Sequence, residues 1–387
     1  MREVVIVSAV RSAVGKAPRG SLKDTRPDEL LAQVFTGALA RVPALDPARI
    51  DDVVVGTAMP EAEQGMNLGR IAGFIAGLPD GVPALTINRF CSSGLQSLAQ
   101  AASAIAAGWQ DVALTGGVES MSQIPMGGQK PSPHPGLIAN RPETYTPMGI
   151  TAENVAVKFD VSRADQDAFA FRSHMNALSA IREGRFADEV VPVATRLWAG
   201  DAWKDLVFSV DEGPRADTSV EGLGRLKPAF KQDGSVTAGN SSQTSDGAAA
   251  TIVMARELAE QLGLPILGVL RSYQVAGVPP EIMGIGPVAA IPKALAKAGI
   301  ALADVDLFEI NEAFAAQSVA VVRELGIDAD KVNVNGGAIA LGHPLGCSGA
   351  KLTATLLHEM PRRNARYGVV SMCIGGGMGA AAVFERV

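Results

Sequence analysis

Apolar positions along this chain repeat with two periods. Residues 4–10 form a β-branched run that predicts a strand, and 28–41 spaces its apolar residues as a helix does. Strand-like 52–55, helix-like 67–76 and strand-like 84–87 follow, so the order reads as βαβ. Past Cys91-Ser92-Ser93-Gly94 comes an Ala-rich helix ending near Gly108, then a strand over 111–115 that closes on Gly116-Gly117. The later part of the chain repeats the theme. A strand is predicted over 306–309 and a helix over 312–325; Cys347-Ser348-Gly349 opens a helix running to about Met360, and 368–372 is a strand closing on Gly375-Gly376-Gly377. Val112 lies 21 residues beyond Cys91, and Val369 lies 22 beyond Cys347, a spacing that implies two similar α/β halves. Residues 120–245 between them differ in character. Pro and Gly cluster over 125–147, an amphipathic helix is predicted over 162–183, and a polar stretch rich in Gly, Asp and Lys completes an insertion suited to ligand contacts.

Composition narrows the class. Of 387 residues 47% are apolar and 19% charged, enough to offset chain entropy and exclude a disordered chain. A formal charge of −6 opposes nucleic acid and anionic membrane, so a phosphate-bearing ligand needs a local basic patch. Cys91, Cys347 and Cys373 are odd in number and none sits in a CxxC pair, which argues against a disulfide framework or structural zinc and predicts a reducing, cytoplasmic setting. Apolar stretches are broken well short of a membrane span, and no secretory leader is read at the start.

Chemistry concentrates at the ends of the predicted strands. Cys91 stands where a strand hands over to a helix, a place that lowers a thiol pKa through the positive helix end; the alternative is a small residue packing a tight turn. His343 lies in the Gly-rich loop before the second Cys-Ser helix, the counterpart of the loop bearing Cys91, so pairing of the two halves brings a thiol and an imidazole together. Cys373 precedes Ile374-Gly375-Gly376-Gly377, where bare backbone can aim N–H groups at a developing oxyanion, or simply turn the chain. Asn311 either caps a helix or holds a water. Cys347 reads as a packed, unreactive thiol, and His134, His174 and His358 as surface or loop histidines without metal spacing. Arg215, Arg225, Lys227 and Lys231 make a positive run, either a solvated face or a phosphate site.

Taken in order, Cys91-Ser92-Ser93-Gly94, Asn311-Glu312-Ala313-Phe314-Ala315, Gly342-His343-Pro344 and Cys373-Ile374-Gly375-Gly376-Gly377 resemble the thiolase family across practically the whole chain. Thr237-Ala238-Gly239-Asn240-Ser241-Ser242 and Met283-Gly284-Ile285-Gly286-Pro287 fall in register between them. The resemblance implies an α/β fold of two βαβαβαββ halves in a five-layered αβαβα arrangement with an inserted loop domain. It divides the chain into an N-terminal half over 1–119 and 246–264, a loop domain over 120–245 and a C-terminal half over 265–387. It also implies thiolytic cleavage of a 3-ketoacyl-CoA to acetyl-CoA and a shortened acyl-CoA, as in fatty acid β-oxidation.

By that resemblance Cys91 is the nucleophile, His343 activates it, and Cys373 exchanges protons with the acetyl α-carbon and the incoming thiol. The N–H groups of Cys91 and Gly375 form one oxyanion hole; His343 with a water held by Asn311 forms the other. For CoA the match carries over Arg215 and Lys227 toward phosphates, Phe230 toward adenine and pantetheine, and Ser242 as a pantetheine partner, with Met148, Met283 and Phe314 lining the acyl pocket. CoA is a co-substrate; no permanently bound cofactor and no metal are implied. Cys347, where biosynthetic relatives carry Ala, and Pro147, where they carry His, favour a degradative enzyme of broad chain length and a homodimer, a tetramer being the alternative. The rival within the family is an acetoacetyl-CoA thiolase condensing two acetyl-CoA; a non-catalytic lipid-binding relative is the rival outside enzymology. Cys373 argues against a ketoacyl-ACP synthase. No feature identifies a β-oxidation partner subunit.

Overall fold

The computed structural model describes residues 2–387. Its strands are β1 (Val4–Ser12), β2 (Gly15–Lys16), β3 (Asp52–Gly56), β4 (Ala84–Ile87), β5 (Val112–Ser120), β6 (Val190–Val191), β7 (Val193–Trp198), β8 (Trp203–Phe208), β9 (Ser245–Ala255), β10 (Gly268–Gly277), β11 (Leu307–Ile310), β12 (Tyr367–Ile374) and β13 (Met378–Glu385). Nine of them lie in the order β11-β12-β13-β10-β1-β9-β5-β3-β4. This is one motif used twice. In the first half β4, β3 and β5 run parallel, and β9 is antiparallel to both β5 and β1. In the second, β11 and β12 are parallel and β13 is antiparallel to both β12 and β10, with a bridge from Phe308 to Val332 standing where β4 stands in the first. The halves join edge to edge through Val5 opposite Val269 and Ile6 opposite Gly268.

Because helices cover both faces, the central strands are buried on both sides and read as unbroken apolar runs rather than alternations; all nine residues of β1 are buried. Helix Pro27–Ala40 drives Leu30, Leu31 and Phe35 against one face of the first half, with Val5, Leu114 and Ile252. Helices Ser93–Ala106 and Ser348–Arg362 fill the middle, where Leu95, Leu98, Leu352 and Leu356 share a core with Ile6, Val253, Val370 and Phe384. Helix Gly286–Ala298 covers the far face through Ile291 and Leu295 on Phe308, Val369 and Val383. The layers therefore run helix, sheet, helix, sheet, helix. The two central helices approach through glycine: a Cβ on Gly94 would stand 2.8 Å from the Gly346 carbonyl oxygen, and one on Gly349 2.4 Å from the Leu95 nitrogen.

The insertion leaves β5 and returns at β9, whose Asp246 is the register partner of Ser120. It carries helices Met148–Lys158 and Arg163–Arg182, the latter opened by a capping box between Ser162 and Asp165, and the hairpin β7–β8. Several expectations need correction. β5 does not close on Gly116-Gly117 but runs through them to Ser120, because a Cβ on Gly117 would meet the Gly346 oxygen at 2.1 Å and the glycine serves close packing, not a turn. The helix expected from Glu312 begins at Ala315, with Phe314 as its N-cap. The hairpin over Val193–Trp198 and Trp203–Phe208 falls in what reads as a polar loop. His174 and His358 are helical, and His174 is buried.

Candidate active site

Cys91 is delivered by a single 3₁₀ turn, Phe90–Ser92, that leads from β4 into helix Ser93–Ala106. Phe90 is left-handed (φ 44°), a costly conformation for an aromatic residue, and its neighbours enforce it. Asn88 Oδ1 accepts from the Phe90 N–H (2.7 Å), and the Ser93 hydroxyl accepts from the Arg89 N–H (2.8 Å) while donating to the Phe90 carbonyl (2.7 Å). The thiol so placed is 8% exposed, and the Gly375 N–H donates to its sulfur. Burial pushes the Cys91 thiol up to about 11, and the N–H groups of Gly375 and Cys91 itself oppose that only in part. The lowered pKa expected from a helix N-terminus is overturned: desolvation outweighs the helix end, so the resting group is a thiol and its proton has to be taken by a base.

His343, the imidazole expected to serve as one, is held from two sides. Its main-chain N–H donates to Ser245 Oγ (3.1 Å), and its Nδ1 stands 2.5 Å from Ser348 Oγ. The Ser348 hydroxyl spends its own proton on the Pro344 carbonyl (2.9 Å), so it accepts from His343, which assigns the proton to Nδ1 and the lone pair to Nε2. Burial, then the charge of Lys351, holds His343 down at about 3, and the imidazole is neutral at pH 7. Asn311 Nδ2 lies 3.2 Å from Nε2, while Asn311 Oδ1 is buried without a partner. Asn311 is thus not a helix cap; its amide faces the imidazole, and the free oxygen fits a water or a substrate donor.

Cys373, near the end of β12, is wholly buried and is held well above the ordinary thiol range chiefly by burial and then by the nearby Cys91. It packs in one apolar cluster with Met148, Met283 and Phe314, so these residues line a single wall. Phe230, 43% exposed, stands edge-on to Phe314 at 5.9 Å and continues that wall outward. Phe230 and Lys227 line a surface cavity of about 440 Å³. The Ser242 N–H donates to the Ala313 carbonyl (2.9 Å), which sets Ser242 beside Phe314. Arg215 is not tied to this wall: its main chain donates to His174 Nδ1 (3.2 Å) and its guanidinium faces Asp217 at 3.4 Å in solvent.

Two buried carboxylates missed by sequence reasoning hold the loops in place. Glu119, at the end of β5, accepts from the N–H groups of Ala58 and Gly346 (both 2.8 Å) and from Gln64 Nε2 (2.6 Å), tying the Cys91 side to the His343 loop. Glu312 accepts from Ser173 Oγ (2.6 Å), Asn333 Nδ2 (2.7 Å) and the Ile339 N–H (3.2 Å), fixing Asn311 against the insertion. Glu312 is visible in its motif; nothing in the local sequence marks Glu119 apart from its position after two glycines.

This geometry meets its counterpart among known proteins. The sequence profile of the thiolase N-terminal domain matches residues 4–257, and that of the C-terminal domain residues 264–386. The chain belongs to the thiolase family. This thiolase is 59% identical to the 3-ketoacyl-CoA thiolase of Bacillus subtilis over 390 residues, covering 100% of both chains. It is 54% identical to peroxisomal 3-ketoacyl-CoA thiolase A of Mus musculus, over 99% of this chain and 91% of that one. Among solved structures it resembles human mitochondrial 3-ketoacyl-CoA thiolase (TM-score 0.90, 40% identity) and Bacillus anthracis acetyl-CoA acetyltransferase (TM-score 0.91, 43% identity), covering 100% of this chain and 99% of each. The thiolase fold expected from the motifs is the fold observed.

Proposed function

We propose that this thiolase is an acyltransferase that cleaves 3-ketoacyl-CoA with free CoA. The carrying observation is a buried thiol at Cys91 that receives the Gly375 N–H, lies near Cys373 and packs against Leu345 of the loop that carries His343, whose neutral imidazole has its lone pair on Nε2. His343 Nε2 takes the Cys91 proton, and the sulfur adds to the 3-keto carbon. The oxyanion collects the N–H groups of Cys91 and Gly375, worth a few kcal/mol (about 3–4) of barrier per donor set. The bond between C2 and C3 breaks with its electrons on C2, stabilised as an enolate by His343 and a water on Asn311, and the Cys373 thiol protonates C2 to give acetyl-CoA. The Cys373 thiolate then takes the proton of the incoming CoA thiol. The CoA sulfur attacks the acyl-Cys91 thioester, and the departing Cys91 thiolate recovers its proton from His343. Two moderate barriers replace one large one. CoA is a co-substrate in this cycle, held along Phe230, Lys227 and Ser242 with Arg215 toward its phosphates.

The apolar wall of Met148, Met283 and Phe314 favours acyl chains beyond acetoacetyl, hence a degradative role in β-oxidation. A homodimer fits the uncovered edge. β4 ends the sheet, leads within a few residues to Cys91, and is flanked by exposed Met66, Phe74 and Ile75, a template for pairing with a second copy. The three unpaired thiols support a reading of cytoplasmic location. The test is CoA-dependent loss of 3-ketoacyl-CoA enolate absorbance from four carbons upward, with Cys91→Ala as control. Turnover of medium and long chains is expected. Activity confined to acetoacetyl-CoA would transfer the reading to the short-chain enzyme, and turnover by Cys91→Ala would remove the mechanism.

A further inference from the structure

Residues 228–237 form a short tongue at the surface of the insertion. Its two limbs run antiparallel, with Pro228 opposite Thr237 and the Ala229 N–H donating to the Val236 carbonyl (2.9 Å). The tip turns at Asp233, which is left-handed (φ 55°), and the Gly234 N–H closes it on the Lys231 carbonyl (3.1 Å). The outer limb is exposed at Ala229, Phe230 and Lys231. So short a two-stranded ribbon does not hold itself in one place, and its position has to come from outside it.

Helix Met148–Lys158 supplies that position along one face. Gly149 and Glu153 are four residues apart, hence one turn apart on the same side of the helix, and both meet the tongue. The Phe230 ring lies on Gly149, where a Cβ would stand 2.1 Å from it, so only bare backbone admits the ring. Glu153 is 2% exposed and its carboxylate takes the inner limb. Both oxygens accept from the Ser235 N–H (3.0 Å each), Oε1 from the Val236 N–H (2.9 Å) and Oε2 from the Ser235 hydroxyl (3.3 Å). Among the described residues, every hydrogen-bond partner of this carboxylate lies in the tongue. Val236 then packs inward with Met148, Phe314 and Cys373, while Lys227 to Asp233 line the surface cavity of about 440 Å³. A buried carboxylate whose acceptors all serve one exposed loop fixes where that loop stands.

We propose that Glu153 is a positioning residue for the acceptor thiol: through the tongue it seats Phe230 on Gly149 and presents Phe230 and Lys227 to the part of CoA remote from the sulfur. This rests on the reading that CoA is the acceptor and lies along Phe230 and Lys227. Glu153 touches the loop and none of the reacting groups, so its contribution belongs to recognition of the carrier and not to the chemistry at Cys91.

The experiment compares two acceptor thiols, CoA and N-acetylcysteamine, which shares the thiol end and lacks the nucleotide. The donor is the 3-ketohexanoyl thioester of N-acetylcysteamine, which brings no nucleotide either, and kcat/KM for each acceptor is read from the product thioester. Wild type is expected to prefer CoA. Glu153→Gln keeps the shape but turns one acceptor into a donor facing the tongue's N–H groups, and the ratio of kcat/KM for CoA to that for N-acetylcysteamine should fall about tenfold. Glu153→Asp keeps both acceptors on a shorter arm and should lower the ratio less, which also serves if the Gln variant does not fold. Gly149→Ala displaces the ring while improving helix propensity and should lower the ratio as well. Glu153→Gln/Phe230→Ala should be no lower than Phe230→Ala, since the carboxylate acts through the ring. An unchanged ratio, an equal loss on both thiols, or additive losses in the double variant overturns the inference and leaves CoA as the acceptor. A wild type that turns over without preferring CoA, or not at all, overturns the reading of Phe230 and Lys227 as the CoA wall and the inference with it.

Discussion

The two halves place a cysteine at the same point of the same turn, and use it in opposite ways. Cys91 and Cys347 each precede a central helix, but Cys91 keeps 8% of its surface open and receives the Gly375 N–H, whereas Cys347 is 1% exposed and packs with Ala249 and Ala350. Burial pushes Cys347 up to about 12. The difference lies upstream. Phe90 is forced into a left-handed turn that leaves the thiol at the site, while the equivalent loop of the second half ends in His343-Pro344 and gives its imidazole instead. In the proposed mechanism a duplicated turn yields a nucleophile from one copy and a base from the other, and Ser348, next to Cys347, orients that base.

The sharpest break of this comparison is Cys91→Ala. It should remove acyl-enzyme detectable by intact mass and lower turnover by about 10⁴-fold or more, the loss typical of an essential nucleophile. Ser348→Ala comes next: with Nδ1 no longer held, kcat should fall by about tenfold to a hundredfold with KM little changed, within the range for an impaired general base.

Acid then probes the buried imidazoles. His343 and His174 are held down at about 3 and about 4, mainly by burial, below an unfolded value of 6.5. The unfolded chain binds protons first, so stability is full above pH 6.5 and drains as pH falls toward 4. Each histidine costs up to about 1.4 kcal/mol per pH unit in that window. Thermal midpoints measured from pH 7 to 4 should fall accordingly, and His343→Gln should flatten the slope. The smallest effect belongs to Cys347→Ala, which should retain turnover within about twofold and lose about 1 kcal/mol of stability for a small buried deletion. A large loss of acylation there would erase the distinction between the two turns.

Much of this contrast was legible in residue order. Strand and helix periods located both halves because fully covered strands are runs of apolar residues; Cys91, Asn311 and Cys373 stand at or just past strand ends, and His343 in the Gly-rich loop before the second Cys-Ser helix. What stayed hidden depended on burial. Residues 312–314 have helical spacing but stay outside the helix, since Asn311 is engaged with His343 and Glu312 with three donors. The thiol of Cys91 was expected to be acidic because a helix end is visible in sequence and desolvation is not. Nothing in the local sequence marks Glu119, Glu309 and Lys351 as buried, and only the packed molecule shows them enclosed. The hairpin of β7 and β8 escaped because its exposed strands carry polar residues on one face and its turn is brief.

Ser120 and Asp246 are cross-strand partners, and Asp246 also accepts from the Ser122 N–H at 2.9 Å, so the long excursion departs and re-enters at one clasped point. A two-residue hairpin could close the same pair of strands. The excursion is therefore a cassette on a finished scaffold: the scaffold holds Cys91, His343 and Cys373, and the cassette holds Met148, Phe230 and Ser242. Lineages of this fold are free to exchange what they accept while leaving what they do untouched.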